Sequence, residues 1–572
     1  MKARDLEWWI VGFLGLVALG LACSGYHVLY NEAGTSRNIL DLIYQSIKIF
    51  GMDIADEFSS PLPWQLEAAR WLAPALVIYT AIKAILYLIR REIKSAFIKY
   101  HRDHIVIVGL NYMSRYLAGN LLANGEKVVI VGDIADVRKL DPVEREGAVL
   151  VEGELSGKNF LRNLGAARAR YFVFLNDDDD KNIEDALTVN HYLADHAKGP
   201  NVTLYTHVSD DLRLDEVMGL RLLEDHQLQQ NADKQCEIKI FSEYERASRI
   251  IFNKYSPDTF TRVTSPDDPQ VRIAVIGSGR LAQSFILRVA RLGHFANLKK
   301  TIVTMFQDGK TVLDRMQLSF KQMRNFIDIE LVDAAPELFD GENFRRMNAE
   351  HRFSAVYILC DDDTVVPGIL TRLARIDLPG RINIVVAVNN PFSLLSKKLE
   401  GMNFESIVIH KFSITEETFT HEGLISETLD KLARVVHNDY RSKHEDIDPS
   451  KTSHRPWELL PTDFKNQNRE QADHILIKLR ALGYEGDVDI SQIVVPQDKL
   501  ELLSRMEHNR WWAFIALNGW VRGDKRDDQN RKHTDLKPYD ELDEEVKQSD
   551  RNAVLNIPHL LEKYNQIIDS GY

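Results

Sequence analysis

Residues 104–114 read HIVIVGLNYMS, an apolar run that ends at Gly109 and continues into polar, helix-forming residues. A short run of β-branched residues bounded by glycine is typical of a buried strand. A strand that turns through glycine into a helix is the first unit of nucleotide-binding α/β folds. The stretch therefore predicts a parallel sheet that is covered by helices.

Apolar runs of the same kind recur after this turn, with helix-like segments between them. The runs are HIVIVGL (104–110), KVVIVGD (127–133), AVLVEGE (148–154), RYFVFLN (170–176), NVTLYTHV (201–208) and EIKIFS (237–242). Strands that alternate with helices in this way predict a parallel sheet with helices on both faces.

The first turn carries the candidate contacts to a nucleotide phosphate and ribose. Gly109, Asn111 and Ser114 occupy the three positions of a G-x-G-x-x-G turn, and Asp133 ends the second run. An acid at that place accepts hydrogen bonds from a ribose hydroxyl, while phosphates bind the helix N-terminus. Asn and Ser at the second and third positions weaken the fingerprint, although Asn holds a tight turn and Ser donates to phosphate.

A cluster of carboxylates follows the fourth run. The carboxyl ends of parallel strands edge the ligand crevice, so Asn176 and Asp177 are candidate contacts to a nucleotide or a cation. Glu154, which ends the third run, is a further candidate. A solvated helix start explains Asp179 and Asp180, because Asp favours N-caps and first turns.

The whole pattern returns from Val271 onward. Its runs are VRIAVIG (271–277), TIVTMFQD (301–308), DIELVDA (328–334), AVYILCDDD (355–363), INIVVAVN (382–389) and ESIVIHKFS (405–413). This internal repeat predicts a second domain of the same fold. Its turn is formed by Gly277, Gly279 and Ala282, which are its candidate phosphate contacts. Asp308, at the end of the second run, matches the position expected for a ribose-binding acid less well than Asp133 does.

Two apolar segments precede the first sheet. Residues 8–31 carry no Asp, Glu, Lys or Arg, and residues 71–89 carry one charge, Lys83. Each is long enough to cross about 30 Å of hydrocarbon. A cleaved signal peptide is the alternative for the first segment, although LGLACSG matches a cleavage site poorly. Five basic residues at 90–102 predict a multi-pass protein of the inner or plasma membrane, with both termini and the soluble domains cytoplasmic.

Between these segments, residues 39–50 place apolar side chains at helical spacing before Gly51. A helix, a short pore helix, a loop and a second helix are the layout of two-span potassium channels. Their filters resemble TVGYG, whose carbonyls face the ion, whereas residues 49–53 read IFGMD. The layout predicts a pore-like loop without strict potassium selectivity, and an amphipathic helix on the outer surface is the alternative.

The two spans, the pore-like loop and the tandem sheets together resemble the RCK family (regulators of potassium conductance, also called TrkA-N domains), over roughly residues 35–440. The resemblance implies domains that bind NAD, ATP, ADP or ions and that form a gating ring of eight under a tetrameric pore. Four chains with two domains each supply eight, which implies a homo-tetramer. A ligand-gated ion channel or conductance regulator follows, with NAD or an adenine nucleotide as ligand and membrane lipid around the spans.

The last part of the chain mixes aromatic and basic side chains. Aromatic rings stack on bases and guanidinium groups bind phosphates, so the mixture suits a nucleotide-like ligand. The alternative is that the tryptophans fill a small helical core and the charges are solvated. The candidate contacts are Arg510, Trp511, Trp520, Arg522, Arg526, Lys532, His533 and Tyr539.

Three stretches of this part, EHNRWWAFIALNGW (507–520), RGDKRDDQNRKHTDLKPYDEL (522–542) and KQSDRNAVLNIPHLL (547–561), resemble the ryanodine receptor repeat, or RyR domain, of bacterial proteins. The resemblance spans roughly residues 455–562. It implies a domain that senses small ligands and takes part in signalling or in defence against phage.

The predicted fold class is multi-domain: two transmembrane α-helices, two Rossmann-like α/β domains with parallel sheets, and one mostly helical C-terminal domain. The predicted boundaries are 1–100 for the two-span region, 101–255 and 268–440 for the Rossmann domains, 441–455 for a linker and 456–572 for the RyR domain.

Charge and domain order exclude some classes of function. The 572 residues carry 71 Lys and Arg against 84 Asp and Glu, a formal net charge of -13. This balance predicts no nucleic-acid partner, because polyanions are repelled. A membrane-anchored dehydrogenase is disfavoured, because each Rossmann unit is followed by another module and not by a catalytic domain, so no enzyme is expected. A membrane-anchored sensor without selective conduction is the second hypothesis.

Overall fold

The computed structural model of the protein describes residues 3–35, 37–53, 61–132, 147–196, 202–209, 236–378, 380–399, 402, 404–443, 451–486 and 492–569. The chain divides into two compact units, Met1–Tyr100 and His101–Tyr572.

The described residues of the first unit form three α-helices: α1 (Ala3–Glu32), α2 (Ile39–Lys48) and α3 (Trp64–Phe97). A Cβ built on Gly25 of α1 would lie 2.7 Å from the backbone nitrogen of Leu66 in α3, so only glycine fits this contact. The same apolar cluster buries four alanines of the two helices: Ala18, Ala22, Ala69 and Ala73. Small side chains of this kind allow two helices to approach closely.

Both long helices contain a segment that is long and apolar enough to cross a membrane. The segments are Trp8–Glu32, with mean hydropathy 1.8, and Trp64–Ile85, with mean hydropathy 1.3. Only 17% of the most apolar window in each segment is buried, unlike the core helix of a soluble protein. Large side chains such as Phe13 and Leu16 stay exposed, as they would be toward lipid. The two predicted apolar helices are confirmed.

The short helix α2 packs against α1, and the tight turn at its end packs against α3. Leu42 and Ser46 are its buried residues, and the Ser46 hydroxyl donates to the Leu42 carbonyl at 2.7 Å. A 3-10 turn, Ile49–Gly51, follows, and Met52 has a left-handed φ of 64°. The helix predicted before this turn is confirmed. The filter position predicted for the pore-like loop, residues 49–53, lies at this turn, and residues 54–60 lie outside the described residues.

In its described residues, the first Rossmann domain contains six strands and three connecting helices. They are β1 (Ile105–Val108), α4 (Tyr112–Ala123), β2 (Val128–Gly132), β3 (Val149–Glu152), α5 (Lys158–Asn163), β4 (Tyr171–Phe174), α6 (Asp179–His196), β5 (Val202–His207) and β6 (Cys236–Phe241). The strands form one parallel sheet with the order β3-β2-β1-β4-β5-β6. The order reverses between β1 and β4, and a crevice forms at that point beyond the carboxyl ends of the strands.

The second Rossmann domain repeats this architecture. Helices α7 (Glu243–Tyr255) and α8 (Pro257–Phe260) lead to it, and its own elements are β7 (Arg272–Ile276), α9 (Arg280–Leu292), β8 (Thr301–Gln307), α10 (Thr311–Ser319), β9 (Ile327–Asp333), α11 (Gly341–Glu350), β10 (Ala355–Ile358), α12 (Val366–Ala374), β11 (Ile382–Val388), α13 (Leu394–Leu399) and β12 (Ile407–Ser413). The strand order is β12-β11-β10-β7-β8-β9, all parallel, which is the order of the first sheet read from its other edge. The predicted repeat of a parallel α/β fold is confirmed.

The segment after the sixth strand of each sheet packs into the other domain. After β6, α7 places Ile251 and Phe252 in the apolar core of the second domain, where the ring of Phe252 lies 6.2 Å from that of Phe285. After β12, α14 (Ile414–Thr418) and a π-helical turn (His421–Ile425) lead Phe419 and Leu424 into the core of the first domain. The two Rossmann domains are therefore interlocked.

The C-terminal region is mostly helical, as predicted. It contains α15 (Lys431–Ser442), α16 (Thr462–Ala481), α17 (Gln497–Leu517), β13 (Val521–Arg522), β14 (Lys532–His533), α18 (Glu544–Leu555) and α19 (Ile557–Asp569). Ile475 and Leu503 of this region belong to the same apolar core as Phe285 of the second Rossmann domain. The C-terminal domain is thus packed onto the second Rossmann domain, while the domain boundaries given above stay predictions.

A buried ion network strengthens this contact. The Arg249 guanidinium of α7 lies 2.6 Å from a carboxylate oxygen of Asp430 and 2.6 Å from one of Asp473 in α16. The three side chains are only 5–6% exposed. Burial alone would raise the pKa of Asp430, but Arg469 and Arg249 outweigh it and hold that pKa far below its usual range. The network therefore consists of charged groups that depend on one another.

Candidate functional site

The first crevice is shaped by a glycine between β1 and α4. Gly109 has a φ of +109°, and a Cβ built there would lie 2.5 Å from the carbonyl oxygen of Leu175, at the end of β4. Glycine adopts this φ readily and leaves room for the neighbouring backbone. Gly109 thereby allows the start of α4 to lie at the point where the strand order reverses, which is where folds of this class bind ligands.

Asn111 is the N-cap of α4 and spans the crevice. Its side-chain oxygen accepts from the Ser114 amide at 3.0 Å and from the Ser114 hydroxyl at 3.2 Å. Its side-chain nitrogen donates to the Leu175 carbonyl at 2.7 Å and to Asp177 Oδ1 at 2.9 Å. Capping of this kind satisfies one of the four amides at a helix start that have no intrahelical acceptor. The structure therefore brings Asn111, Ser114 and Asp177 together at the turn.

The other candidates of the first domain lie around this turn in different surroundings. The Asn176 side chain donates to Asp185 Oδ2 of α6 at 3.1 Å, so it braces that helix. Asp177 and Glu154 are exposed. Asp133, the expected ribose acid, lies outside the described residues.

The second crevice repeats the glycine but not the side-chain cap. Gly277 has a φ of +119°, and a Cβ built there would lie 2.5 Å from the carbonyl oxygen of Leu359. Gly279 is the N-cap of α9 and offers no side chain to the helix. A Cβ built on Gly279 would overlap the Asp361 carboxylate, so that carboxylate fills the space beside the turn. Ala282 is buried in the domain core.

Two contacts lie near these crevices, one between the Rossmann domains and one beside the sheet of the first domain, and sequence reasoning missed both. The Arg280 guanidinium of α9 donates to the Ser209 hydroxyl, just after β5. His207, at the end of β5, pairs with Glu243 at the start of α7, and both side chains are buried. Burial alone would lower the pKa of His207, but the Glu243 carboxylate outweighs it, so the pKa is raised. The one sequence signal for these contacts is a basic residue directly after Gly279.

Three aromatic candidates of the C-terminal domain meet at the short strand β14. The ring centroid of His533 lies 5.1 Å from that of Trp511 and 6.2 Å from that of Trp520. All three side chains are partly buried. Arg522 is the pairing partner of His533 in the sheet, and both Arg522 and Lys532 are exposed. We name Trp511, Trp520 and His533 the aromatic face.

The remaining candidates of this domain do not join the aromatic face. Arg510 is 2% exposed and lies 2.6 Å from Glu507. Tyr539 is 4% exposed. Arg526 is exposed and pairs with Asp528 at 2.8 Å. Arg510 and Tyr539 thus belong to the domain interior, and the accessible cations are those of the strands and the loop between them.

Comparison with known proteins identifies two regions of the chain. The TrkA-N domain matches residues 105–212, and the RyR domain matches residues 486–569. These matches confirm, for those residues, the two resemblances found in the sequence. No curated protein matches the chain.

Solved structures of one channel share a distant likeness with the chain. "GsuK Channel" has a TM-score of 0.38 and 17% identity, covering 75% of this chain and 100% of that chain. "GsuK channel bound to NAD" has a TM-score of 0.37 and 15% identity, covering 75% and 86%. "Crystal structure of the GsuK bound to ADP" has a TM-score of 0.35 and 17% identity, covering 73% and 96%. At these values the likeness assigns neither a function nor a ligand to this chain.

Proposed function

We propose that the protein is a ligand-regulated ion channel or conductance regulator, in which the Rossmann domains bind a nucleotide and set the state of the membrane helices. The observation that supports this most is the interlocked pair of Rossmann domains, the first of which matches the TrkA-N domain. The pair follows two apolar helices within a few residues, since α3 ends at Phe97 and β1 begins at Ile105. A change in the first sheet is therefore transmitted along a short connection.

The first crevice fits the phosphate of a nucleotide. Gly109 allows the start of α4 to lie against the backbone of Leu175 at the switch point, and that helix start presents amides to an anion. Asn111 and Ser114 add polar side chains at the same place. We infer that Asp133 accepts from the ribose. NAD and ADP, the ligands named for the distant structural neighbours, are the first compounds to test.

Regulation requires that the ligand bind one state of the domains more tightly than the other. The interlocked segments couple the movements of the two domains, because α7 starts at the edge of the first sheet and is buried in the second domain. The segment after β12 starts at the edge of the second sheet and is buried in the first domain. The C-terminal domain joins the same assembly through the Arg249 network.

The proposal includes a homo-tetramer in the inner or plasma membrane. Four chains with two Rossmann domains each supply the eight domains that the RCK resemblance implies. Membrane lipid surrounds α1 and α3, and the basic residues at 90–102 orient both termini and the soluble domains toward the cytoplasm. The net charge of -13 speaks against a nucleic-acid partner.

A membrane-anchored sensor without selective conduction is the second candidate function. The observation that favours it is the turn after α2, where residues 49–53 contain a single glycine and Met52 takes the left-handed conformation. A potassium-type filter presents consecutive backbone carbonyls to the ion. In this candidate α2 lies on the outer surface, and the domains signal through a partner protein.

Asp133→Ala is expected to weaken nucleotide binding about tenfold or more, because hydrogen bonds to a charged group contribute about 1.5–3 kcal/mol. Titration calorimetry of the full-length protein with ADP and NAD measures this. The melting temperature without ligand should stay at the wild-type value, which separates a lost contact from a damaged fold. Unchanged affinity would remove Asp133 from the site.

We further propose that the aromatic face binds a planar, nucleotide-like ligand. Trp520→Ala should weaken binding of such a ligand about tenfold, since stacking on one base contributes about 1–3 kcal/mol. The circular dichroism should not change, because Trp520 is only partly buried. Calorimetry with NAD, ADP and ATP as probes gives the affinity.

Trp512→Ala is the matched control for this variant. The Trp512 ring packs 5.6 Å from Phe326 of the second Rossmann domain, so its loss should lower the melting temperature and leave the affinity unchanged. If Trp520→Ala unfolds the domain instead, the tryptophans fill a helical core and the aromatic face is not a ligand site.

Ion efflux from liposomes that hold the purified protein tests the proposal itself. Efflux that rises when NAD or ADP is added supports a ligand-regulated conductance. Absence of efflux under every nucleotide, from protein whose insertion has been verified by protease protection, supports the anchored sensor.

A further inference from the structure

The two Rossmann domains differ in what lies over their ligand-binding turns. A Cβ built on Gly109 would lie 2.5 Å from the Leu175 carbonyl oxygen, and one built on Gly277 would lie 2.5 Å from that of Leu359. The two turns therefore have equivalent geometry. Two residues after each leucine the chain carries an acid, Asp177 in the first domain and Asp361 in the second. The two acids therefore occupy equivalent positions beside the two turns.

In the first domain a side chain at the turn binds this acid. Asn111 lies at the position that Gly279 has in the second domain, and its side-chain nitrogen donates to Asp177 Oδ1 at 2.9 Å. The carboxylate is thus bound by an amide side chain. The backbone amides at the start of α4 are not its partners in any contact that the described residues show.

In the second domain Gly279 provides no such side chain, and Asp361 moves into the free space. Its carboxylate lies where a Cβ of Gly279 would be, directly beside Arg280, the first residue of α9. Backbone amides at a helix start are the groups that bind a nucleotide phosphate in this fold. A carboxylate of the chain itself therefore takes the position of the anion.

Other side chains around the second turn are also engaged with the protein. Gln283 donates to the Ser278 carbonyl at 2.9 Å, and Arg315 of α10 donates to Gln283 at 3.0 Å. The Arg280 guanidinium points to Ser209 of the first domain. Arg280 and Arg315 are thus used for contacts within the protein, and an incoming phosphate would meet the charge of Asp361 first.

We propose that Asp361 closes the second crevice to phosphate-bearing ligands, so that each chain binds one nucleotide, in the first Rossmann domain. This inference rests on the proposed nucleotide site of the first domain. Asp361 is the residue that decides the difference, because the glycine geometry of the second turn is otherwise intact. The second domain then acts as a fixed partner of the first and not as a second sensor.

Titration calorimetry of the full-length protein in detergent, with ADP as the ligand, tests this inference. Wild-type protein should bind one ADP per chain, and Asp361→Ala should bind two. Asp361→Asn, which removes the charge but still fills the space, should bind the second ADP more weakly than Asp361→Ala. Asp362→Ala is the matched control, because Asp362 is exposed as Asp361 is, but its carboxylate accepts from the Thr364 amide at 2.8 Å and does not lie at Gly279. It should leave the stoichiometry at one.

The outcomes separate this inference from the proposed nucleotide site. Two ADP per chain in wild-type protein, or no additional site in both Asp361 variants, would overturn the inference. No ADP on wild-type protein with one on Asp361→Ala would support the closed second crevice and would contradict the proposed site in the first domain.

Discussion

Arg249→Ala lowers the free energy of unfolding of the soluble unit by about 3–5 kcal/mol, the range expected when one partner of a buried ion pair is removed. Arg249 lies 2.6 Å from both Asp430 and Asp473, and these carboxylates are 6% exposed. Without the guanidinium, Asp473 loses its main partner and Asp430 is left with Arg469. Because Asp473 belongs to α16, we expect the C-terminal domain to unfold first. Urea unfolding of the full-length protein, followed by tryptophan fluorescence, measures the loss.

Lys254→Ala is the matched control on the same helix. Lys254 pairs with Glu417 at 2.7 Å, but the two side chains are 49% and 34% exposed. Exposed pairs contribute about 0–1 kcal/mol, so this variant should unfold almost as the wild type does. A loss below about 1 kcal/mol for Arg249→Ala as well would show that the C-terminal domain is not held by the network.

Gly109→Ala and Gly277→Ala should each destabilise the protein by about 2–6 kcal/mol. A positive φ costs a residue with a side chain about 1–3 kcal/mol, and forcing an extra atom into a packed place costs about 1–3 kcal/mol more. The two sites match closely, with φ of +109° and +119° and the same 2.5 Å approach to a backbone oxygen. Thermal unfolding should therefore shift by a similar amount in both variants.

Their effects on nucleotide binding should differ. Gly109→Ala disturbs the turn that we assign to the nucleotide, so it should remove ADP binding at temperatures where the protein is still folded. Gly277→Ala alters a turn that Asp361 already fills, so it should leave one ADP bound per chain. Equal loss of binding in both variants would contradict the assignment of the ligand to the first domain.

The strands and the glycine turns could be predicted from sequence because their signals are local. An apolar run followed by glycine indicates a strand that ends in a tight turn, and the repeat from Val271 gives the second domain the same pattern. The interlocking could not be predicted. Phe252 and Phe419 lie on segments with apolar faces, and the sequence does not say which of two similar sheets will cover such a face.

The attachment of the C-terminal domain could not be predicted from the sequence, for a related reason. Arg249 and Asp473 are 224 residues apart, and each alone looks like a solvated charge on a helix. Their burial follows only from the tertiary packing of α7 and α16. The polar stretch before Trp457 indicates a linker, yet the domain behind it shares an apolar core with the second Rossmann domain.

The sequence identified the positions of the two turns but not the side chains that lie in them. Asn111 and Ser114 depart from glycine at the first turn, where the structure shows a side-chain cap that also binds Asp177. The second turn matches the nucleotide fingerprint better, yet the Asp361 carboxylate fills it. The better match lies in the crevice that is closed, because a glycine that leaves room for a phosphate also leaves room for a neighbouring carboxylate.

The central claim is that a nucleotide bound in the first Rossmann domain controls an ion conductance. The most direct measurement is efflux of a monovalent cation from liposomes, with wild-type and Asp133→Ala protein inserted to the same density and with ADP or NAD added to each. We predict efflux that changes on addition of nucleotide in the wild type and does not change in Asp133→Ala. Efflux that does not change on addition of nucleotide in either protein, or no efflux from either, would contradict the claim.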